Sequence, residues 1–382
     1  ILTLASGDRI PMTDNVKIMF ENENLRNASP ATVSRAGIIF VSDVELDWWP
    51  PVQAWCKKQH ESHRDILLSL FVKHIGESSL TDPGHMFDFL SRRCNEPLPA
   101  SRSGKAMACC HLLGALLAKA QFSGRSDQLP LELERLFLYS LAWSVGGLLE
   151  PEDRHKFDAK VRELAGPAQM PEYEEGETIY EYFVDPDTML WEKWRPPQWK
   201  YPQVETLDFS NLLVPTMDST RAMFILENLH SARHPILMVG GSGTAKTSTA
   251  LMFFSTFDPK QRLLKRVNFS SATTPGMFQL SIESELDKRG GKQFGPPNSK
   301  KMTVFLDDLS MPLINMWGDQ PTLEIVRQLV ETSGFAFLDK DRRGDLKGCE
   351  DLTYVAAMNH PGSGKNDIPN RCKRHFFLFN LI

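Results

Sequence analysis

The stretch Pro235-Ile-Leu-Met-Val-Gly-Gly-Ser-Gly-Thr-Ala-Lys-Thr-Ser-Thr249 decides the fold of this chain. Residues 236–239 form an apolar run that is typical of a buried strand, and a glycine-rich segment interrupts it. Lys246 and Thr247 then open a run of residues that favour a helix. The order strand, glycine-rich turn, Lys-Thr and helix predicts a loop that binds phosphate groups.

The residue types in this loop suit phosphate chemistry. Small residues let backbone N–H groups converge on phosphate oxygens, and a helix N-terminus adds partial positive charge. We expect Lys246 to reach the β- and γ-phosphates and Thr247 to hold Mg²⁺. Ala245 stands where the usual pattern has Gly, and an ordinary glycine-rich turn is the alternative. The predicted nucleotide-binding residues are Gly240, Gly241, Ser242, Gly243, Thr244, Ala245, Lys246, Thr247 and Ser248.

A second apolar run, residues 301–306, ends in the acidic pair Asp307-Asp308. This pattern is typical of a Walker B strand, in which Asp307 would hold Mg²⁺ and Asp308 would polarise the attacking water. Hydrolysing P-loop enzymes usually have Glu in the second place, and Asp308 is one methylene shorter. We therefore expect slow hydrolysis. A polar strand end that meets solvent is the alternative interpretation.

Two asparagines end further strand patterns. Asn359 follows the apolar run 352–358, and Asn268 follows the run 264–267. In AAA+ ATPases, an Asn at the first place senses the γ-phosphate, and a polar residue at the second restrains the catalytic acid. Both assignments rest on sequence position, and an Asn at a strand end also caps turns, so both interpretations stay open.

The composition narrows the function classes. The chain has 382 residues and a formal net charge of −5, with both signs interspersed. We expect no nucleic-acid partner, because no basic stripe is evident, and no membrane partner, because no apolar run has the length of a membrane span. Cys109-Cys110-His111 lacks a second ligand pair at zinc-like spacing, so we interpret it as the buried face of a helix.

Hydrophobic periodicity divides the chain into four parts. Helical patterns cover residues 66–75, 105–119, 129–149 and 151–164. The predicted parts are 1–45, the end of an α/β unit; 46–170, an all-α subdomain; 171–205, a linker; and 206–382, a nucleotide-binding α/β unit with a parallel sheet covered on both faces. The chain opens on Ile1 and not on Met, which favours a piece of a longer protein.

The two ends of the chain share one pattern. We predict a hairpin over residues 2–11 with its turn at 6–8, followed by strands at 16–20 and 38–41. Near the other end we predict a hairpin over 334–344, a strand over 353–359 and a strand over 376–379. In both copies an Arg lies five residues after a Pro, Pro30 to Arg35 and Pro369 to Arg374. We interpret this as an internal repeat of one module.

Together these stretches resemble the dynein heavy chain, a ring of six linked AAA+ modules. Residues 7–12 and 27–37 look like the second module, whereas 213–221, 243–247 and 307–312 look like the third. The sequences Gly243-Thr-Ala-Lys-Thr247 and Asp307-Asp308 are more similar to axonemal heavy chains than to cytoplasmic dynein. The resemblance implies an α/β fold of AAA+ P-loop ATPase modules, with a parallel sheet flanked by helices and an all-α small subdomain.

The resemblance also implies a function and a set of partners. The whole protein would be an ATP-driven motor that moves towards the microtubule minus end in the cilium or flagellum axoneme, within the cytoplasmic cytoskeleton. Its cofactors would be ATP or ADP with Mg²⁺. Its partners would be the remaining AAA+ modules of the same chain, microtubules reached through a stalk outside this sequence, and intermediate and light chains.

Arginine roles follow from the same resemblance. Arg35 would be the arginine finger that serves the nucleotide of the first module, and Arg374 would serve that of the second, with Arg371 as a neighbouring candidate. A surface ion pair is the alternative for each. The third module in this family is a regulatory ATP site. Two other functions stay open: a structural module that binds nucleotide without hydrolysing it, and a different AAA+ remodelling ATPase.

Overall fold

The computed structural model describes residues 2–3, 7–22, 24–26, 28–41, 47–77, 84–166, 169–200, 212–342, 344–362 and 364–382. The chain forms two compact units, Ile1–Val41 and Ser42–Ile382.

The first unit contains the predicted hairpin. Strand β1 (Leu2–Thr3) pairs antiparallel with β2 (Arg9–Ile10), while Ser6 of the predicted turn lies outside the described residues. A one-turn helix, α1 (Pro30–Val33), follows, and the Ser29 hydroxyl caps its N-terminus. The hairpin prediction is confirmed.

The strands predicted at 16–20 and 38–41 are wrong, because the structure has neither. Phe20 and Phe40, which we would expect such strands to bury, are 74% and 85% exposed. A strand needs a neighbour to bond its N–H and C=O groups. Among the described residues of the first unit, the β1–β2 pair is the only ladder, so neither run has a partner strand.

The second unit begins with a helical part. Its described helices are α2 (Trp49–Lys57), α3 (Glu61–His74), α4 (His85–Arg93), α5 (Arg102–Leu117), α6 (Leu129–Ser144) and α7 (Pro151–Ala165). They confirm the four helical patterns predicted between residues 66 and 164. Cys109 and Cys110 are fully buried on α5, as expected for a helix face in the core. No helix within the described ranges is long and apolar enough to cross a membrane.

Residues 171–200, which the sequence predicts as a linker, carry secondary structure of their own. A 3-10 turn at Ile179–Glu181 leads into β3 (Tyr182–Val184), which pairs antiparallel with β4 (Trp191–Lys193). Trp194 is only 6% exposed and stacks on Phe183 with ring centroids 4.2 Å apart. Trp194 therefore belongs to the hydrophobic core, and Phe183 and Trp191 pack against it, whereas Trp199 is exposed.

The α/β part follows. It contains α8 (Met217–Ser231), β5 (Ile236–Gly240), α9 (Lys246–Ser255), β6 (Arg262–Asn268), α10 (Pro275–Glu283), β7 (Asp287–Gly290), β8 (Gln293–Gly295), β9 (Lys301–Asp307), α11 (Pro321–Thr332), β10 (Gly334–Ala336), β11 (Leu346–Cys349), β12 (Leu352–Asn359), α12 (Asn370–Lys373) and β13 (Phe377–Leu381). Short 3-10 turns cover Pro297–Ser299 and Lys340–Arg342.

The main sheet is parallel and has the strand order β13-β5-β12-β9-β6. Every residue of the interior strand β5 is buried, as expected for a parallel sheet covered on both faces. The carboxyl ends of these strands meet at one edge of the sheet. That edge carries Gly240, Asn268, Asp307 and Asn359, the last residues of β5, β6, β9 and β12.

A second, smaller sheet has the order β10-β11-β8-β7. The β10–β11 pair confirms a hairpin that begins at Gly334, but its second strand, Leu346–Cys349, lies beyond the predicted end at residue 344. The β7–β8 pair was not predicted, because a four-residue and a three-residue strand around Gly290 and Gly291 show little apolar alternation.

The helical part is bonded directly to the edge strand β13 of the main sheet. The Asn380 backbone N–H donates to the Gly147 carbonyl oxygen at 2.8 Å, and Arg154 Nη2 donates to the Asn380 carbonyl oxygen at 2.9 Å. The Arg154 guanidinium is buried and lies 4.5 Å from the centroid of the Tyr180 ring. These contacts join the helices and the main sheet into one packed body.

We expect stability to fall in mild acid because of the buried His230. Burial, assisted by the charges of Arg262 and Lys301, lowers the pKa of His230 to about 4, and its Nε2 lies 2.9 Å from the Thr303 hydroxyl. Above pH 6.5 the His230 side chain is neutral in both the folded and the unfolded state. Below it the unfolded state binds the proton first, so about 2 kcal/mol of unfolding free energy is lost by pH 5.

Denaturant unfolding between pH 5 and 7.5 tests this expectation. His230→Gln retains a hydrogen-bonding side chain without the titration, so its stability should fall less in acid by about 2 kcal/mol. His155→Gln, at an exposed position on α7, is the matched control and should follow the wild type. Parallel profiles for His230→Gln and wild type would contradict the assignment.

Candidate nucleotide-binding site

The loop between β5 and α9 is shaped by two glycines. A Cβ on Gly240 would lie 2.6 Å from both the Leu381 carbonyl oxygen and the Thr244 hydroxyl, so no side chain fits there. Gly243 has a φ of +87°, a conformation that only glycine adopts without strain. These constraints fold the loop back over the end of β5 and direct it into the first turn of α9.

Ala245 is the N-cap of α9 and adopts the left-handed conformation, with φ 59° and ψ 25°. This backbone geometry explains why the usual pattern has Gly at this position, because a Cβ in that region costs roughly 1–2 kcal/mol. No side chain caps the helix. The N–H groups of the first turn of α9 therefore remain donors for an anion.

The Lys246 ammonium lies at the centre of the loop. Its Nζ donates to the Gly241 carbonyl oxygen at 2.6 Å, to that of Gly240 at 3.1 Å and to Asn359 Oδ1 at 3.0 Å. Partial burial lowers the pKa of this ammonium, whereas the nearby charges of Asp308 and Asp307 oppose that shift. The structure thus brings together the two residues that the sequence predicts to contact the terminal phosphates.

Thr247 and Asp307 meet at the other side of the loop. The Thr247 hydroxyl lies 3.2 Å from each carboxylate oxygen of Asp307, and Asp307 is only 7% exposed. Hydroxyl and carboxylate oxygens suit Mg²⁺, which usually takes a few protein oxygens, phosphate oxygens and waters. Among the described residues there is no cluster of three or more His, Cys, Asp or Glu side chains, so the metal would depend on such mixed ligation.

Asp308 and Asn268 lie at the same edge but are exposed. Asp308 has a φ of 55°, which Asp tolerates better than most residues, and its charge acts on Lys246. Asn268 Oδ1 accepts a hydrogen bond from Arg266 Nε at 2.8 Å. The structure therefore places Asn268 opposite Asp307 across the β6–β9 pair, and Asp308 close enough for its charge to act on Lys246.

Arg266 is a site residue that sequence reasoning missed. Its Nη2 lies 2.7 Å from Asp307 Oδ2, while its Nε binds Asn268. The signal was present, because side chains two residues apart on one strand share a face, so Arg266 had to lie beside Asn268.

The predicted finger arginines lie within or just after two short helices, α1 and α12. Arg35 is exposed directly beyond α1 in the first unit. Arg374, at the end of α12, is half-exposed and pairs with Glu331 of α11 at 2.8 Å. Arg371 pairs with Glu324 of the same helix at 3.1 Å. In both copies of the predicted repeat, the Arg follows a four-residue helix, although α12 begins after its Pro and α1 begins at it.

Two sequence profiles of known families match the chain. The P-loop containing dynein motor region matches residues 200–382, and the dynein heavy chain AAA lid domain matches residues 81–196. The chain belongs to the dynein heavy chain family. This confirms the predicted α/β fold of AAA+ modules and places the chain in a family of P-loop ATPases. The lid match extends to residue 196, so it includes the β3–β4 hairpin.

Relatives of the dynein heavy chain align along the whole sequence. The chain is 44% identical over 384 residues to the dynein gamma chain of the flagellar outer arm of Chlamydomonas reinhardtii, covering 100% of this chain. It is 41% identical over 383 residues to axonemal heavy chain 5 of Mus musculus, covering 99% of this chain. The chain spans 8% of the length of each of these relatives.

We expect Ala245→Gly to stabilise the dynein chain. Glycine removes the left-handed strain of the loop, so the unfolding free energy should rise by about 1 kcal/mol, as measured by chemical denaturation. Ala250→Gly is the matched control, because Ala250 lies within the same helix α9, where glycine should cost about 1 kcal/mol. Equal losses in both variants would contradict a left-handed Ala245.

Proposed function

We propose that this chain binds ATP with Mg²⁺ at the carboxyl edge of its parallel sheet. The observation that carries the proposal is the pairing of Lys246 with Asn359 and of Thr247 with Asp307 around one loop. Lys246 and the amides of α9 would hold the phosphates. Thr247 would ligate the metal directly and Asp307 would do so through water. Bound Mg²⁺ would neutralise charge on the phosphate oxygens.

The chain would serve as part of the motor ring of an axonemal dynein heavy chain. Residues 1–170 would supply the end of the second AAA+ module and its helical subdomain, and residues 206–382 most of the third. The whole protein would produce force towards the microtubule minus end in the axoneme. Its partners would be the other modules, microtubules through a stalk, and intermediate and light chains. The alignments with axonemal and flagellar heavy chains support this assignment.

The site would be regulatory, with slow hydrolysis. Asp308 occupies the place of the usual catalytic Glu, and its carboxylate reaches one methylene less far towards an attacking water. Asn268 would restrain or orient Asp308, and Asn359 would sense the γ-phosphate by donating from its amide Nδ2 while its Oδ1 accepts from Lys246. Binding would then persist longer than in a fast ATPase, which suits a site that gates another.

Arginines would act between modules. Arg35 is exposed and follows a one-turn helix, so its guanidinium is accessible to a neighbouring nucleotide. An arginine supplied in trans stabilises charge on the transferring phosphoryl and is worth roughly 10³–10⁵ in rate in GTPases. Arg374 would do the same for the nucleotide of the second module once its pair with Glu331 opens.

A second candidate function is a structural nucleotide site that does not hydrolyse ATP. The exposed Asp308 in place of Glu favours it, because a misplaced water leaves binding intact and stops the chemistry. Both candidates share the binding residues and differ in turnover.

Lys246→Ala should weaken MgATP binding. Charge-assisted hydrogen bonds to phosphate are worth about 1.5–3 kcal/mol, so the Kd in isothermal titration should rise about 10–100-fold. Lys260→Ala, at an exposed lysine before β6, is the matched control for charge and should bind like wild type. An unchanged Kd in Lys246→Ala would overturn the assignment of the phosphate loop.

Asp308→Glu should accelerate hydrolysis of bound ATP. The longer side chain brings the carboxylate to the attacking water, and general-base assistance typically contributes about 10²–10⁴-fold. Single-turnover hydrolysis measures the rate, and Asp308→Asn, which removes the charge, is the control that should remain at or below wild type. If Asp308→Glu hydrolyses no faster than wild type, the structural role is favoured over the slowed regulatory ATPase.

A further inference from the structure

We propose that Arg266 is a positioning residue that holds the Asp307 carboxylate and competes with Mg²⁺ for it, so that this arginine sets the metal requirement of the site. The inference rests on the proposed MgATP function.

Strand register brings the groups together. β6 and β9 pair in parallel, with Arg266 opposite Phe305 and Asn268 opposite Asp307. Side chains two residues apart on a strand share a face, so Arg266 and Asn268 lie beside Phe305 and Asp307. The Arg266 guanidinium lies 5.9 Å from the centroid of the Phe305 ring, and that contact keeps the arginine directed along the sheet towards Asp307.

The guanidinium fork bridges two site residues. Nη2 donates to Asp307 Oδ2 at 2.7 Å, and Nε donates to Asn268 Oδ1 at 2.8 Å. A lysine has a single donor group and lacks the fork that makes this bridge. Arg266 therefore fixes both the orientation of the Asp307 carboxylate and its distance from the amide of Asn268.

The charge balance produces the competition. Asp307 has a side chain that is 10% exposed, whereas that of Arg266 is 40% exposed. One face of the carboxylate is bonded to Arg266 and its oxygens also meet the Thr247 hydroxyl. A divalent cation held by Thr247 would draw on the same negative charge while being repelled by the guanidinium. The partial exposure of Arg266 lets it withdraw towards solvent when the metal binds.

Metal binding would therefore be coupled to the side-chain bridge between β6 and β9. With Arg266 on Asp307, Asn268 is tied to the same bridge. Mg²⁺ held by Thr247 and, through water, by Asp307 would weaken the contact of Arg266 with the carboxylate, and Asn268 would then be free of the bridge. Arg266 thus couples metal binding to the residue that lies next to the proposed catalytic acid Asp308 across the sheet edge.

The test measures ATP affinity of the chain as a function of Mg²⁺ concentration. Arg266→Gln removes the competing charge, so the Mg²⁺ midpoint should fall about 3–10-fold, as for loss of one partly screened charge near a divalent ion. Arg266→Lys retains the charge and should stay near the wild-type midpoint. Arg262→Gln is the matched control, because it removes the same charge from the start of β6, where the guanidinium lies over Phe257.

A readout independent of metal-loaded activity is hydrogen exchange of the β6 amides with ATP and excess chelator. Arg266→Gln and Arg266→Lys should both speed exchange near Asn268, because neither side chain has the fork that joins Asn268 to Asp307. Arg262→Gln should leave this exchange unchanged. If Arg266→Gln binds ATP with the same Mg²⁺ midpoint as wild type, the inference about Arg266 is overturned and the proposed function is not. Absence of ATP binding in wild type at saturating Mg²⁺ would instead overturn the proposed function.

Discussion

Parallel pairing throughout the main sheet, with β5 held between β12 and β13, is the constraint on which the site depends. It brings the carboxyl ends of β5, β6, β9 and β12 to one edge, where four distant segments of the chain supply a loop, an ammonium, a carboxylate and two amides. Because every residue of β5 is buried, a one-residue shift in its register would move each packed side chain to the opposite face of the sheet, so the core fixes the position of the edge. Chemistry at the edge then depends on which short polar residue ends each strand.

The same sheet connects the site to the helical part through hydrogen bonds of β13. Asn380, in β13, is bonded through its backbone to Gly147 and Arg154, and its side-chain Oδ1 lies 2.8 Å from His360 Nε2. His360 directly follows Asn359, the residue that accepts from Lys246. Asn359 is therefore joined to the helices through His360 and Asn380. Contiguous packed and hydrogen-bonded elements of this kind are one physical route by which two sites in a protein can be coupled.

The sequence could predict the parts of this structure that have long patterns. β5, β9 and β12 have five to eight residues each and end in Gly240, Asp307 and Asn359, and the long helices α5 and α6 repeat apolar residues over several turns. The β3–β4 and β7–β8 pairs were missed because strands of three or four residues show little periodicity. The runs at 16–20 and 38–41 show the opposite error, since apolar composition alone cannot supply the neighbouring strand that a ladder needs.

The candidate site shows the same division. Lys246, Thr247 and Asp307 could be found because a phosphate loop needs particular residues in a fixed local order. Arg266 could not be found that way, since its role arises from strand pairing: only the register of β6 on β9 places it at Asp307. Ala245 and Asp308 depart from the usual motifs, and both occupy left-handed backbone positions. The loop therefore keeps its geometry with Ala245 and Asp308 in these places. Ala245 adds backbone strain and Asp308 shortens the reach of the carboxylate, while the fold of the site is retained.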